Sequence, residues 1–232
     1  MNNHYLSTKL KALGIDSLEH LRKYNCVEVF KWLKQHNHSL ANHALFDLYC
    51  IYHDLEFNSL STKQQTQLLN LYEGLPPSYL PYSDALIKYF MQQAQKHAHT
   101  AQSHDEIPIG AVIVKDQQII GYGYNQVISK NNLTKHAEIN AITMAQKHLS
   151  NYRLTNCDLF VTIEPCLMCS GAIIQSRIRQ VYYGATEPKT GAVTSQYQVF
   201  NNLKVNHHTQ VIGPADQKHY AKLVKEFLAN KR

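Results

Sequence analysis

The stretch "CDLFVTIEPCLMCSGAIIQSRIRQVYYGA", residues 157–185, decides the fold. Residues 157–163 form an apolar run of strand length, closed by Glu164 and Pro165. A segment of helical length follows from Cys166 to about Ser176, and "QVYYGA", residues 180–185, reads as a second strand. Strands that alternate with helices of this length indicate an α/β sandwich, with helices on both faces of one sheet. Inside the stretch, Cys166 and Cys169 stand three positions apart. The pair is open to three readings: a disulfide, a redox couple, or two arms of a metal site.

Working outward, the same alternation continues. A helix is expected from Asp84 to His99, then strands in "IGAVIVKD" (109–116) and "QQIIGYGYN" (117–125), joined tightly enough for a hairpin. A helix from Ala137 to His148 precedes the opening stretch. After it come a short helical piece near Ser195–Phe200, a strand in "HTQVIG" (208–213) and a last helix from Asp216. Upstream, Pro76, Pro77 and Pro81 crowd "PPSYLPY" and mark a boundary. Before that boundary, segments 17–24, 27–35, 41–55 and 61–72 all show apolar residues at helical spacing, with Asp16 or Ser17 and Ser61 or Thr62 as caps. The expected organisation is a helical domain over 1–75, a linker over 76–82 and an α/β domain over 83–232.

The chain has 232 residues, 44% of them hydrophobic, enough for a proper core, and no stretch is apolar for long enough to span a bilayer. The opening "MNNHYLSTKLKALG" lacks a secretory h-region, so a cytoplasmic, reducing location is expected. Five scattered cysteines give no disulfide framework, and Cys26, Cys50 and Cys157 read as small buried side chains. Residues 1–80 carry as many acidic as basic residues, so the net charge of +6 belongs wholly to residues 81–232. That surplus weakly favours a polyanionic partner for the second domain.

A zinc ion takes four ligands, so the two thiolates need partners. "TKHAEINAI", residues 134–142, offers His136 at a helix start, with Glu138 two positions on. One imidazole and two thiolates leave the fourth position for water, the mark of a catalytic rather than a structural site. Cys157 is the rival fourth ligand, but at strand rise it lies roughly 20 Å from Cys166. On the first helical turn Glu138 would point beside the metal, where a carboxylate can act as general base and then general acid. The chemistry this suits is hydrolytic deamination: zinc-activated hydroxide attacks an amidine-like carbon, a ring nitrogen is protonated and ammonia leaves. The combination HxE with PCxxC is the signature of zinc nucleobase deaminases.

Beyond the signature, "VTIEPCLMCSGAIIQSRIRQVYYGATEPKTGA", with "IPIGAVIV", "GYGYNQ" and "NYRL", closely resembles the bacterial tRNA-specific adenosine deaminases across residues 83–231. The resemblance implies a cytidine-deaminase-like fold with a mixed five-stranded sheet, a homodimer, one zinc per subunit, and conversion of the wobble adenosine of the tRNA-Arg anticodon to inosine. It also implies that His136, Cys166 and Cys169 bind zinc and that Glu138 shuttles protons. By the same resemblance Asn125 contacts the flipped base, while the Ala137 N–H and Pro165 carbonyl frame its pocket. Lys189, Lys231 and Arg232 could meet phosphates of the anticodon stem-loop. The chain departs from the family pattern in having Glu187 in place of an aspartate expected at the RNA, and Lys135 in place of a small residue. Its His-rich "KHAHTAQSHDE" (96–106) reads as a longer loop, not a second metal site.

The helical domain resembles, over residues 6–73, the C-terminal domain of TfoX competence regulators. Its "LKALGIDSLEHL" is similar to a helix-hairpin-helix in which Gly14 permits the turn. Nucleic-acid contact, docking and a purely structural role all stay open for it. For the whole chain, deamination of free bases and a closed structural zinc site are the alternatives; Glu138 argues against the second, since a structural site needs no proton shuttle.

Overall fold

The computed structural model describes residues 4–202 and 204–231. The chain divides into two compact units, Met1–Pro81 and Tyr82–Arg232.

In the first unit the helices are α1 (His4–Ala12), α2 (Leu18–Leu21), α3 (Cys26–His36), α4 (His43–His53) and α5 (Thr62–Gly74). Gly14 takes φ +75°, a left-handed turn that a side chain would resist, and its N–H closes α1 on the Lys11 carbonyl at 2.9 Å. Ser17 then caps α2 by accepting from the His20 N–H at 3.1 Å. The helix expected over 17–24 is a single turn, because Asn25 accepts from the Val27 N–H at 2.9 Å and starts α3 at once. Ser61 and Gln64 form a reciprocal capping box on α5. Leu10, Leu21, Phe30, Trp32, Leu45 and Leu48 make the buried core. The proline-rich stretch lies against this unit: Trp32 Nε1 donates to Ser78 Oγ at 3.0 Å and Gln35 Nε2 to the Ser78 carbonyl at 2.8 Å.

The second unit is built on β1 (Gly110–Lys115), β2 (Gln118–Tyr124), β3 (Asp158–Ile163), β4 (Gln180–Ala185) and β5 (Gln210–Ile212), in the order β2-β1-β3-β4-β5. β1 is antiparallel to β2 and β3, while β3–β4 and β4–β5 are parallel, so the sheet is mixed. The β1–β2 hairpin turns on Asp116 and Gln117, both at positive φ, as a two-residue turn matched to strand twist requires. Its helices are α6 (Asp84–Ser103), α7 (Ala137–Leu149), α8 (Leu167–Gln175) and α9 (Gln217–Ala229), with a 3₁₀ turn at Val199–Asn201.

β1, β3 and β4 are buried on both faces, and their period of two sorts the side chains. Ile113, Leu159 and Val161 pack with Ala141 of α7 and Ile173 of α8; Val112, Phe160 and Tyr182 pack with Phe90 of α6 and Tyr220 of α9. This is the expected three-layer α/β/α sandwich.

The His-rich stretch is a correction. α6 continues to Ser103, so residues 96–103 are helix and not loop. Ala94, Ala98 and Ala101 are fully buried at spacings of four and three and hold the helix on the sheet. The intervening histidines and glutamines lie on other faces and disguise that small-residue stripe.

Candidate metal centre and active-site cavity

His136 and Cys166 occupy the N-cap positions of α7 and α8, in extended backbone with ψ of 156° and 174°. The His136 side chain makes no hydrogen bond to its own helix, as a capping residue ordinarily would. It faces Cys166 instead. Cys166 Sγ lies 3.7 Å from His136 Nδ1, and Cys169 Sγ, in the first turn of α8, lies 3.5 Å from the same nitrogen. A tetrahedral zinc with ordinary bond lengths would set nitrogen and sulfur about 3.6 Å apart. Among the described residues these three are the group of His, Cys and carboxylate donors that could hold one ion, with all donor atoms within 4.8 Å of one another. The donor chemistry and spacing both fit zinc. Hydrogen bonds from Cys169 and His136 hold the Cys166 thiol well below its ordinary value. Cys157 takes no part: it is fully buried at the far end of β3, and burial pushes its thiol up to about 11.

His136 and Cys166 line a cavity of about 300 Å³, within the range of small-molecule sites, while Cys169 is sealed behind them. Glu138 lines it, 4% exposed, and burial pushes its carboxyl up to about 7. Asn125 enters from the end of β2, Glu187 from the loop after β4, and Ile109, Ile163, Val224 and Leu228 give apolar walls. Ala137, Pro165 and Lys189 are not lining residues, although the first two stand between residues that are. Ala137 is fully buried, the Pro165 carbonyl accepts from the Ala192 N–H at 2.8 Å, and Lys189 is exposed. The Glu187 carboxylate turns back to accept from the Lys189 N–H at 3.0 Å. Lys231 pairs with Asp105, and Arg232 lies outside the described residues.

Two buried carboxylates among or next to the cavity residues escaped the sequence reading. Glu164, 3% exposed, accepts from the N–H groups of Glu187, Val193, Thr194 and Ser195 at 2.7–3.0 Å and from the Ser195 hydroxyl. Burial would raise its carboxyl, but these donors outweigh burial and hold it below the ordinary value. It therefore ties the "EPKTGA" loop to the segment that carries Cys166. Glu106, fully buried, accepts from Asn125 Nδ2 at 3.2 Å, the Ile128 N–H at 3.2 Å and the Ser129 N–H at 2.7 Å. The only sequence signal for either is a glutamate set against a proline-bearing apolar run.

Residues 85–185 match the cytidine and deoxycytidylate deaminase zinc-binding region, and residues 3–72 match the TfoX C-terminal domain. The tRNA-specific adenosine deaminase of Streptococcus pyogenes serotype M1 is 50% identical over 132 residues, 57% of this chain and 77% of that protein. That of Haemophilus influenzae is 43% identical over 131 residues, 56% of this chain and 73% of that protein. A solved structure from biochemical and structural studies of A-to-I editing by tRNA:A34 deaminases superposes with TM-score 0.57 at 41% identity, covering 59% of this chain and 99% of its own. A guanine deaminase from Nitrosomonas europaea shares the fold, with TM-score 0.52 at 22% identity over 67% of this chain and 94% of its own.

A sheet clad on both faces, with a His-Cys-Cys trio at two helix starts, defines an enzyme of the zinc-dependent cytidine-deaminase class. Within that class, the chain belongs to the tRNA-specific adenosine deaminase family, with a TfoX C-terminal-like helical unit at its N-terminal end.

Proposed function

We infer that this chain converts adenosine 34, the wobble position of the tRNA-Arg anticodon, to inosine by hydrolysis. The observation that carries the reading is Glu138, buried in the same cavity that His136 and Cys166 line, with Cys169 close behind them. With those three as ligands, zinc supplies the Lewis acidity that makes water nucleophilic at neutral pH. Glu138 would carry one proton of the attacking water to the ring nitrogen beside C6, and then carry the second, from the hydroxyl now on C6, to the departing amine. The C6–O bond forms, the C6–N6 bond breaks, and ammonia leaves. Asn125 meets the extruded base, and the apolar walls keep bulk water from the reacting carbon.

The tRNA substrate is supported by the named activity of the relatives and by the basic surplus carried by residues 81–232. In this reading Lys189, exposed in the loop that carries Glu187, would meet anticodon phosphate. Family resemblance supports a cytoplasmic homodimer, and no helix among the described residues is long and apolar enough to cross a membrane. The domain assignment that accompanies this reading is 1–75, 76–82 and 83–232.

The test is zinc-loaded protein with a tRNA-Arg transcript bearing adenosine at the wobble position, read by inosine formation. Inosine at that position alone is expected. Ammonia from free adenine, guanine or cytosine, with none from the tRNA, overturns the reading. Comparing tRNA affinity of the full chain with residues 83–232 shows whether the helical unit takes part in binding.

A further inference from the structure

Glu106 does not line the cavity, yet it holds a residue that does. Its carboxylate is fully buried between the end of α6 and β1 and offers only acceptor oxygens. Asn125, 4% exposed, gives it a side-chain N–H at 3.2 Å. The Asn125 backbone is fixed as well, its N–H donating to the Ile109 carbonyl at 3.1 Å. A planar amide with its nitrogen held on one side presents its oxygen on the other, and no described donor occupies Asn125 Oδ1. A flip would set that oxygen against the buried carboxylate with no proton between them. The same carboxylate holds the Ile128 and Ser129 N–H groups, and so fixes a segment whose Val127 and Ile128 also line the cavity.

We propose that Glu106 is a positioning residue that locks the Asn125 amide with its oxygen toward the bound nucleoside, so that the site selects a hydrogen-bond donor at that point of the substrate. The proposal rests on the reading of Asn125 as a base-facing residue given above. It makes the polarity of this subsite a property of a residue that never touches substrate.

A double-mutant cycle separates this role from simple support of the loop. Asn125→Asp places two acceptors against Glu106, and Glu106→Gln weakens the grip on the native amide. Each alone is expected to lower kcat/KM for inosine formation about tenfold or more. When the two substitutions are combined, the introduced amide donates to one oxygen of the introduced carboxylate and leaves the other facing the cavity. The double variant should therefore return to within about threefold of the unaltered protein. Losses that multiply in the double variant overturn the proposal.

A second measurement needs neither activity nor a variant that folds. In the ¹⁵N-labelled, zinc-loaded full chain, one of the two Asn125 side-chain amide protons should exchange with solvent far more slowly than the other; two equally fast protons overturn the proposal. If the unaltered chain forms no inosine, the tRNA reading fails by itself, and the amide protons still decide the role of Glu106.

Discussion

The carboxylate of Glu164 fills the place where a side chain at residue 191 would stand: a Cβ built on Gly191 would collide with Glu164 Oε2. The glutamate before the metal-binding cysteines and the glycine of "KTGA" are therefore one structural unit, although the sequence sets them far apart. Cys166 and Gly191 also form an isolated antiparallel bridge. Anything that moves the loop thus pulls on a metal donor.

Gly191→Ala must push the carboxylate aside, against the backbone and hydroxyl donors that hold it. A loss of about 1–3 kcal/mol in folding stability is expected, the range seen when a packed site is overfilled. Urea melts of the zinc-loaded protein measure it, and deamination should fall with it.

Glu164→Gln tests the pH dependence. The folded carboxyl is held below its unfolded value, so the unfolded chain binds more protons in the window between the two. The stabilisation is complete above the unfolded value of about 4.3 and is lost as the pH falls through the lower folded one. The glutamine variant should be less stable at neutral pH by about 2 kcal/mol and show a flatter decline in acid. Equal acid slopes in the two proteins would count against the assignment.

Arg179→Met leaves Asp158 in trouble. This fully buried aspartate is paired with the Arg179 guanidinium and accepts from the Tyr82 hydroxyl at 2.9 Å. Burial already raises its carboxyl, and losing the cation would strand it. A loss of about 3–5 kcal/mol is expected, with a smaller loss when Asp158→Asn is added, as measured by denaturant unfolding.

Cys169→Ser and Glu138→Gln should separate metal from chemistry. Metal analysis is expected to find zinc depleted in the first variant and retained in the second. Deamination by Glu138→Gln should nonetheless fall about 10²–10⁴-fold, the usual contribution of a positioned acid–base group.

The sheet, its hairpin and the metal trio were legible because each rests on local pattern: alternation within strands, a two-residue turn, and ligands at helix starts. The far end of α6 was not, since alanines spaced among histidines carry little hydrophobic contrast although they are sealed at 0% exposure. Glu106 and Glu164 were invisible for another reason. A buried carboxylate is stabilised by backbone N–H groups of distant segments, and backbone donors leave no mark in a sequence. The Pro165 carbonyl shows the same limit, because its partner, Ala192, is set by the loop's path.

Val224 and Leu228 of α9 belong to the cavity wall, whereas the last metal donor is Cys169. During synthesis, then, the donors leave the ribosome well before the helix that closes the chamber above them. A nascent chain therefore presents all three donors before it has the part of the cavity wall that α9 supplies.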